Sequence, residues 1–224
     1  MTLVDTFFNA RVIEESLPML RLGIGTTLLL GASCIVFGSV LGMLIALARL
    51  YAPLPVRLFA VVFADLFRSL PALIVLVLVY FALPFVGIRL SGYTSATLAL
   101  SIVFAAFASE IFRAGIQAVP KGQFEAAASL GLPFWMVLRK VVLPQALKVV
   151  IPPFTSNCIE GIKATSLSAF VAMPDLLKQA FDAQALFANP TPLMVAAGIY
   201  LVIMWPLVRL VGYLEARSRE ATAR

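Results

Sequence analysis

The chain has 224 residues, 62% of them hydrophobic and 12% charged, with a formal net charge of +6. A water-soluble domain of this length needs more polar surface, so the composition indicates a membrane protein with several spans. It has no histidine, and its two cysteines, Cys34 and Cys158, fall inside apolar runs. That excludes an ordinary metal cluster and leaves two thiols that pack, so no cofactor is expected.

The opening stretch MTLVDTFFNARVIEESLPML begins with Asp5 and not with positive charge, unlike a secretion signal. The mixed segment up to Pro18 reads as an interfacial lead-in helix, residues 1–18. Leu22 to Ala48 is a run of 27 uncharged residues, about 40 Å as helix and enough to cross a bilayer. Ser69 to Ile88 is a second uncharged run, lengthened before it by VRLFAVVFADLF, and Leu90 to Ser109 is a third. Val141 to Ile159 is a fourth, interrupted by Lys148 and by a break expected at Pro152–Pro153. The last lies within Ala183–Val208 and begins near Pro192. The expectation is an all-α, five-span membrane domain over residues 19–217, with 218–224 as a tail.

The basic residues gather at the ends of the apolar runs, as orientation signals do, and form no nucleic-acid patch. One side carries Arg49, Arg57, Arg113, Lys121, Arg139, Lys140, Arg209, Arg217, Arg219 and Arg224. The other carries Arg11, Arg21, Arg89, Lys163 and Lys178. Ten against five places the N-terminus outside and the C-terminus in the cytoplasm.

Ionisable residues at membrane depth need a reason. Asp65 with Arg68, and Glu110 with Arg113, are each three apart and read as self-neutralising pairs. Ser156, Asn157, Glu160 and Lys163 recur at three-to-four spacing along one helix face. They read either as a wall of a polar pathway or as an i, i+3 pair that closes a gate. No catalytic set can be assembled without histidine.

Residues 121–133, KGQFEAAASLGLP, have the pattern of a short helix with a hard stop. Alanines favour helix, Gly131 suits the left-handed position after it, and Pro133 blocks continuation. Phe124, Ala127, Ala128 and Leu130 offer an apolar surface, and Glu125 a charge near the helix start. The segment reads as a knob for a soluble partner, or as a helix lying on the lipid headgroups.

Here the chain resembles the inner-membrane permeases of ABC importers. Their loop signature is E-A-A, three residues, G, nine residues, an aliphatic, any residue and L-P. Glu125-Ala126-Ala127, Gly131, Val141 and Leu143-Pro144 match it. LFRSLPALIVLVLVYFALP at 66–84, SEIFRAGIQAVPKGQFEAA at 109–127, LPQALKVVIPPF at 143–154 and KATSLSAFVAMPDLLKQA at 163–180 are similar to the polar amino-acid branch, that of histidine, glutamine and arginine permeases. Ala164 stands where that branch usually has Asp, and Ser156 with Asn157 replaces a frequent Asn and its variable neighbour, which leaves substrate identity open.

The resemblance implies a type I ABC importer fold of the methionine-permease kind, in a bacterial inner membrane. It implies that 121–133 is a coupling helix, with Lys121, Glu125, Ala126, Ala127 and Gly131 facing a separate ATPase and tipping the fourth and fifth spans. It also implies two ATPase subunits, a second permease protomer (identical or homologous), an extracytoplasmic solute-binding protein and a small amino-acid-like substrate passing Ser156, Asn157, Glu160 and Lys163. The chain has no phosphate-binding G-x-x-x-x-G-K-[ST] loop, since no glycine is followed by lysine, so energy must come from a partner. The rival readings are a self-contained secondary transporter, against which the lack of an inverted repeat argues, and an integral-membrane enzyme, against which the lack of histidine argues.

Overall fold

The computed structural model describes residues 3–222, without the side chains of Val4, Glu215 and residues 217–222. Met1, Thr2 and residues 223–224, including Arg224 of the charge count, lie outside the described residues. Among the described residues every regular element is helical.

After the short α1 (Leu3–Phe7), Asn9 caps α2 (Ala10–Tyr51), its side-chain oxygen accepting from the Val12 N–H at 3.2 Å. From Ala10 onward the lead-in and the first span are one helix. Pro18 removes a single i→i−4 bond and does not end the helix, because Leu20 beside it is fully buried against Leu176, Ala180 and Ala196.

The second span is broken. α3 (Leu54–Ser69) and α4 (Ala72–Val77, continued by a π turn to Ala82 and a 3-10 turn to Val86) meet at 106°. Pro71 is the cause: it holds Leu70 in the extended region at φ −90° and ψ 136° and stops α3 one residue earlier. α3 buries Ala60 and Ala64 against Ile45 and Ala105.

The third span, α5 (Gly92–Gln117), is capped by Ser91, whose hydroxyl accepts from the Thr94 N–H at 3.1 Å. It is the central helix: 67% of its most apolar window is buried, against 17% for the last span. Its contact with α2 is made close by two glycines four apart, Gly38 and Gly42. A Cβ on Gly38 would stand 2.6 Å from Phe104 Cδ1, and one on Gly42 2.9 Å from Ala108 Cβ. In lipid no hydrophobic force draws helices together, so small residues that let backbones approach supply the packing.

α5 continues past Ser109 because its charges are held. Glu110 and Arg113 are not a self-contained pair, and neither are Asp65 and Arg68. Arg49 Nη1 of α2 donates to Glu110 Oε2 at 2.8 Å, Arg68 Nη1 of α3 donates to the same oxygen at 3.2 Å, and Arg113 donates to Glu110 Oε1. Asp65 stands 3.9 Å from Arg68 at the edge. One carboxylate thus ties the ends of three helices.

α6 (Lys121–Ser129) follows, then α7 (Phe134–Val137), a π turn (Leu138–Val142) and α8 (Leu143–Ala164). The break expected at Pro152–Pro153 does not occur; both prolines lie inside α8. Val150 and Phe154 on either side are packed against Phe104 and Phe112. Neighbouring helices can re-satisfy carbonyls that a proline frees. A 3-10 turn (Thr165–Val171) leads to α9 (Leu176–Phe187) and then α10 (Thr191–Thr222). Ala183 belongs to α9, whereas the last span starts at Thr191, and the tail expected at 218–224 is helical as far as Thr222.

By length and composition α2, α5 and α10 can each cross a membrane, and α3 with α4 makes a fourth span if the bent pair is one. α8, the fourth apolar run of the sequence, is as long as a span but less apolar than these, since its 22 residues include Gln145, Lys148, Asn157, Glu160 and Lys163.

Candidate functional site

Two regions carry the residues singled out in the sequence. In the first, α6 ends as anticipated. Gly131 adopts φ +75°, its N–H donates to Ala128 O at 2.9 Å, and the Leu132 N–H donates to Ala127 O at 3.4 Å. These are the two bonds of a Schellman stop. Nothing lies within 4 Å of a Cβ built on Gly131, so backbone conformation and not space requires glycine there.

The apolar surface foreseen for α6 is split. Phe124 and Ala127 turn inward, onto a cluster with Val137, Leu138 and Val142, while Lys121, Glu125, Ala126, Ala128 and Leu130 are exposed. Glu125 lies in the second helical turn and not the first. The inward face continues as a chain of rings: Phe124 to Phe134 at 5.9 Å between centroids, and Phe134 edge-on to Tyr51 at 5.1 Å. α6 is therefore seated on the start of the α7–α8 segment, and through Phe134 of α7 it is linked to the end of α2.

In the second region, α8 brings Asn157 and Glu160 onto the wall of a cavity of about 320 Å³ between α2, α4, α5 and α8. The other walls are apolar, with Cys34, Ala72, Leu100 and Phe104 among them. Asn157 Nδ2 is buried there and has no hydrogen-bond partner. Lys163, one turn further, lies beside a larger open groove of about 980 Å³ against α10. Its Nζ donates to Glu160 Oε1 at 2.7 Å, so the ion pair straddles the ridge between cavity and groove. Ser156 lines neither space. Sequence spacing had grouped four residues on one face; the structure brings two of them to the cavity, a third to its edge, and leaves Ser156 aside. The cavity itself is formed from four helices far apart in sequence, which no local pattern reveals.

Among the described residues no group of three or more His, Cys, Asp or Glu could hold a metal ion. Cys34 is buried and Cys158 half-buried, both as free thiols.

Residues 38–220, most of the chain, match the family described as the binding-protein-dependent transport system inner membrane component. The chain belongs to that family. It is a permease subunit, a multi-pass component of the inner membrane and not an enzyme; in such systems the ATPase is a separate partner, and the permease works as a dimer with a binding protein. The permease is 39% identical over 176 residues to the "Probable amino-acid ABC transporter permease protein YckA" of Bacillus subtilis (strain 168), covering 79% of this chain and 78% of that one. A crystal structure of an amino acid ABC transporter with histidines superposes with a TM-score of 0.83 at 32% identity, over 92% of this chain and 96% of that one. An inward-facing methionine ABC transporter shares the fold at 22% identity, with a TM-score of 0.63 over 96% of this chain and 99% of that one. The permease thus has the all-α type I ABC importer fold.

Proposed function

We propose that this permease carries polar amino acids through the cavity walled by Asn157 and Glu160, driven by a separate ATPase that engages α6. One observation carries the reading: a mostly apolar cavity holds a buried amide donor without a partner and, on the same wall, a carboxylate. A free amino acid presents a carboxylate and an ammonium. The Asn157 amide can donate to the first and Glu160 can receive the second. Lys163, which pairs with Glu160 at the edge of the cavity, would exchange that partner for the substrate carboxylate, and Ser156 would meet substrate before or after the cavity. The names of the similar YckA protein and of the transporter solved with histidines support the amino-acid class.

In this reading Lys121, Glu125 and Ala126 form the face that meets the ATPase. Ala127 seats the helix on its own chain, and Gly131 fixes the turn that makes it a lever. ATP-driven closure of two such ATPases would rock the membrane helices of a permease pair, identical or homologous, as rigid bodies. The surplus of Lys and Arg supports an outside N-terminus, a cytoplasmic C-terminus and 121–133 loop, and a solute-binding protein on the outer side. Residues 19–217 would form the membrane domain, continuous with the lead-in.

The test is reconstitution in proteoliposomes with the cognate ATPase and binding protein. Uptake of a polar amino acid that requires ATP on the α6 side is expected. Uptake by the permease alone on an ion gradient would replace this reading with that of a secondary transporter. A cysteine at position 122 should be shielded from a membrane-impermeant maleimide in intact cells; labelling there would reverse the orientation.

A further inference from the structure

The ends of α2, α3 and α5 gather more positive charge than a structural ion pair needs. Arg49, Arg68 and Arg113 converge on Glu110 with Asp65 beside them, so among the described residues three guanidiniums face two carboxylates. Each guanidinium offers five N–H donors in a planar fork. Here the Nε atoms of Arg49 and Arg113 are buried and without partners, while Arg113 Nη1 donates to Gln117. The Arg49 side chain is only 10% exposed, whereas those of Arg68, Glu110 and Arg113 are 36%, 29% and 27% exposed. The cluster is therefore an open-sided nest with a buried donor at its base.

Its setting is the polar end of apolar helices. Phe59, Val62 and Leu66 of α3 lie uncovered at 73%, 63% and 50% exposure, on the face of that helix turned away from Arg68. Arginine forks match phosphate oxygens geometrically, and basic pockets between membrane helices suit acidic headgroups. We infer that the Arg49–Arg68–Arg113 cluster binds an anionic phosphate group, that of an acidic phospholipid headgroup. This site is separate from the Asn157–Glu160 cavity and does not depend on the substrate assigned to it.

The experiment uses the full chain, purified with its partner subunits in a neutral detergent and melted with three additives. These are phosphatidylglycerol, phosphatidylcholine of the same acyl chains, and inorganic phosphate. Phosphatidylglycerol alone is expected to raise the melting temperature by several degrees and to stay bound through gel filtration. Arg68→Gln should lose most of that shift, and Arg57→Gln, an exposed arginine on the same helix outside the cluster, should keep it. If Arg68→Gln does not fold, Arg68→Lys, which keeps the charge and loses the fork, should weaken lipid retention several-fold. An equal shift with phosphatidylcholine, an equal loss in Arg57→Gln, or an undiminished shift in Arg68→Gln or Arg68→Lys would overturn the site. An equal shift with inorganic phosphate would overturn the lipid as its source.

Discussion

The Phe134 ring stands edge-on to Tyr51 with centroids 5.1 Å apart, and this contact joins the segment after α6 to the last residue of α2. Phe124 of α6 completes the chain from the other side, at 5.9 Å from Phe134. Movement of α6 can thus reach the first span through Phe134, in addition to the fourth and fifth spans named by the lever reading. Aromatic contacts of this kind contribute about 0.5–1.5 kcal/mol beyond their buried area. Phe134→Ala is expected to leave ATP hydrolysis largely intact while uptake per ATP falls several-fold. An unchanged ratio of transport to hydrolysis would show that the ring chain transmits nothing.

Gly131 provides a separate control on the same lever. At φ +75° a side chain is disfavoured, at a cost of about 1–2 kcal/mol, although the space around the position is empty. Gly131→Val should abolish uptake with the protein still in the membrane, and Gly131→Asn, which tolerates the left-handed region, should retain a substantial part. Equal activity of the two variants would mean that the turn geometry does not matter. Glu125→Lys tests the outward face, and loss of ATPase co-purification is expected.

Much of this was legible beforehand, and the reasons it was are local. The stop at Gly131 follows from a helix-forming run, a glycine and a proline within five residues. The five apolar runs follow from composition alone. The break at Leu70–Pro71 is available in the same terms, since a residue before proline leaves the helical region, but it lies at the start of the uncharged run Ser69–Ile88, and joining that run to the stretch before it hides the bend. Pro152 and Pro153 misled in the opposite sense, because packing of Phe154 on Phe112 outweighs a local preference. The joining of Arg49 to Glu110, 61 positions away, has no local signal at all. Gly38 and Gly42 did carry one, a G-x-x-x-G spacing in an apolar run.

That spacing makes a stability prediction. Gly42→Leu would drive a side chain into Ala108, whose Cβ would already lie 2.9 Å from the first added carbon. Overpacking of this kind costs about 1–3 kcal/mol. A melting temperature lowered by several degrees in detergent is expected. Gly25→Leu, where nothing lies within 4 Å, should melt like the parent protein. Equal melting of both variants would remove close α2–α5 contact as a source of stability.

The central claim is that the Glu160 wall of the cavity meets the substrate, and the Lys163–Glu160 contact at 2.7 Å allows it to be tested against plain charge neutralisation. The measurement is ATP-dependent uptake by the reconstituted complex for Glu160→Gln, Lys163→Met and the double variant. Each single change is expected to lower uptake several-fold, and the double variant by about the product of the two losses, because each residue serves a different group of the substrate. If the two residues only neutralise one another, the effects will not be additive. Recovery of most of the lost uptake in the double variant would contradict the account.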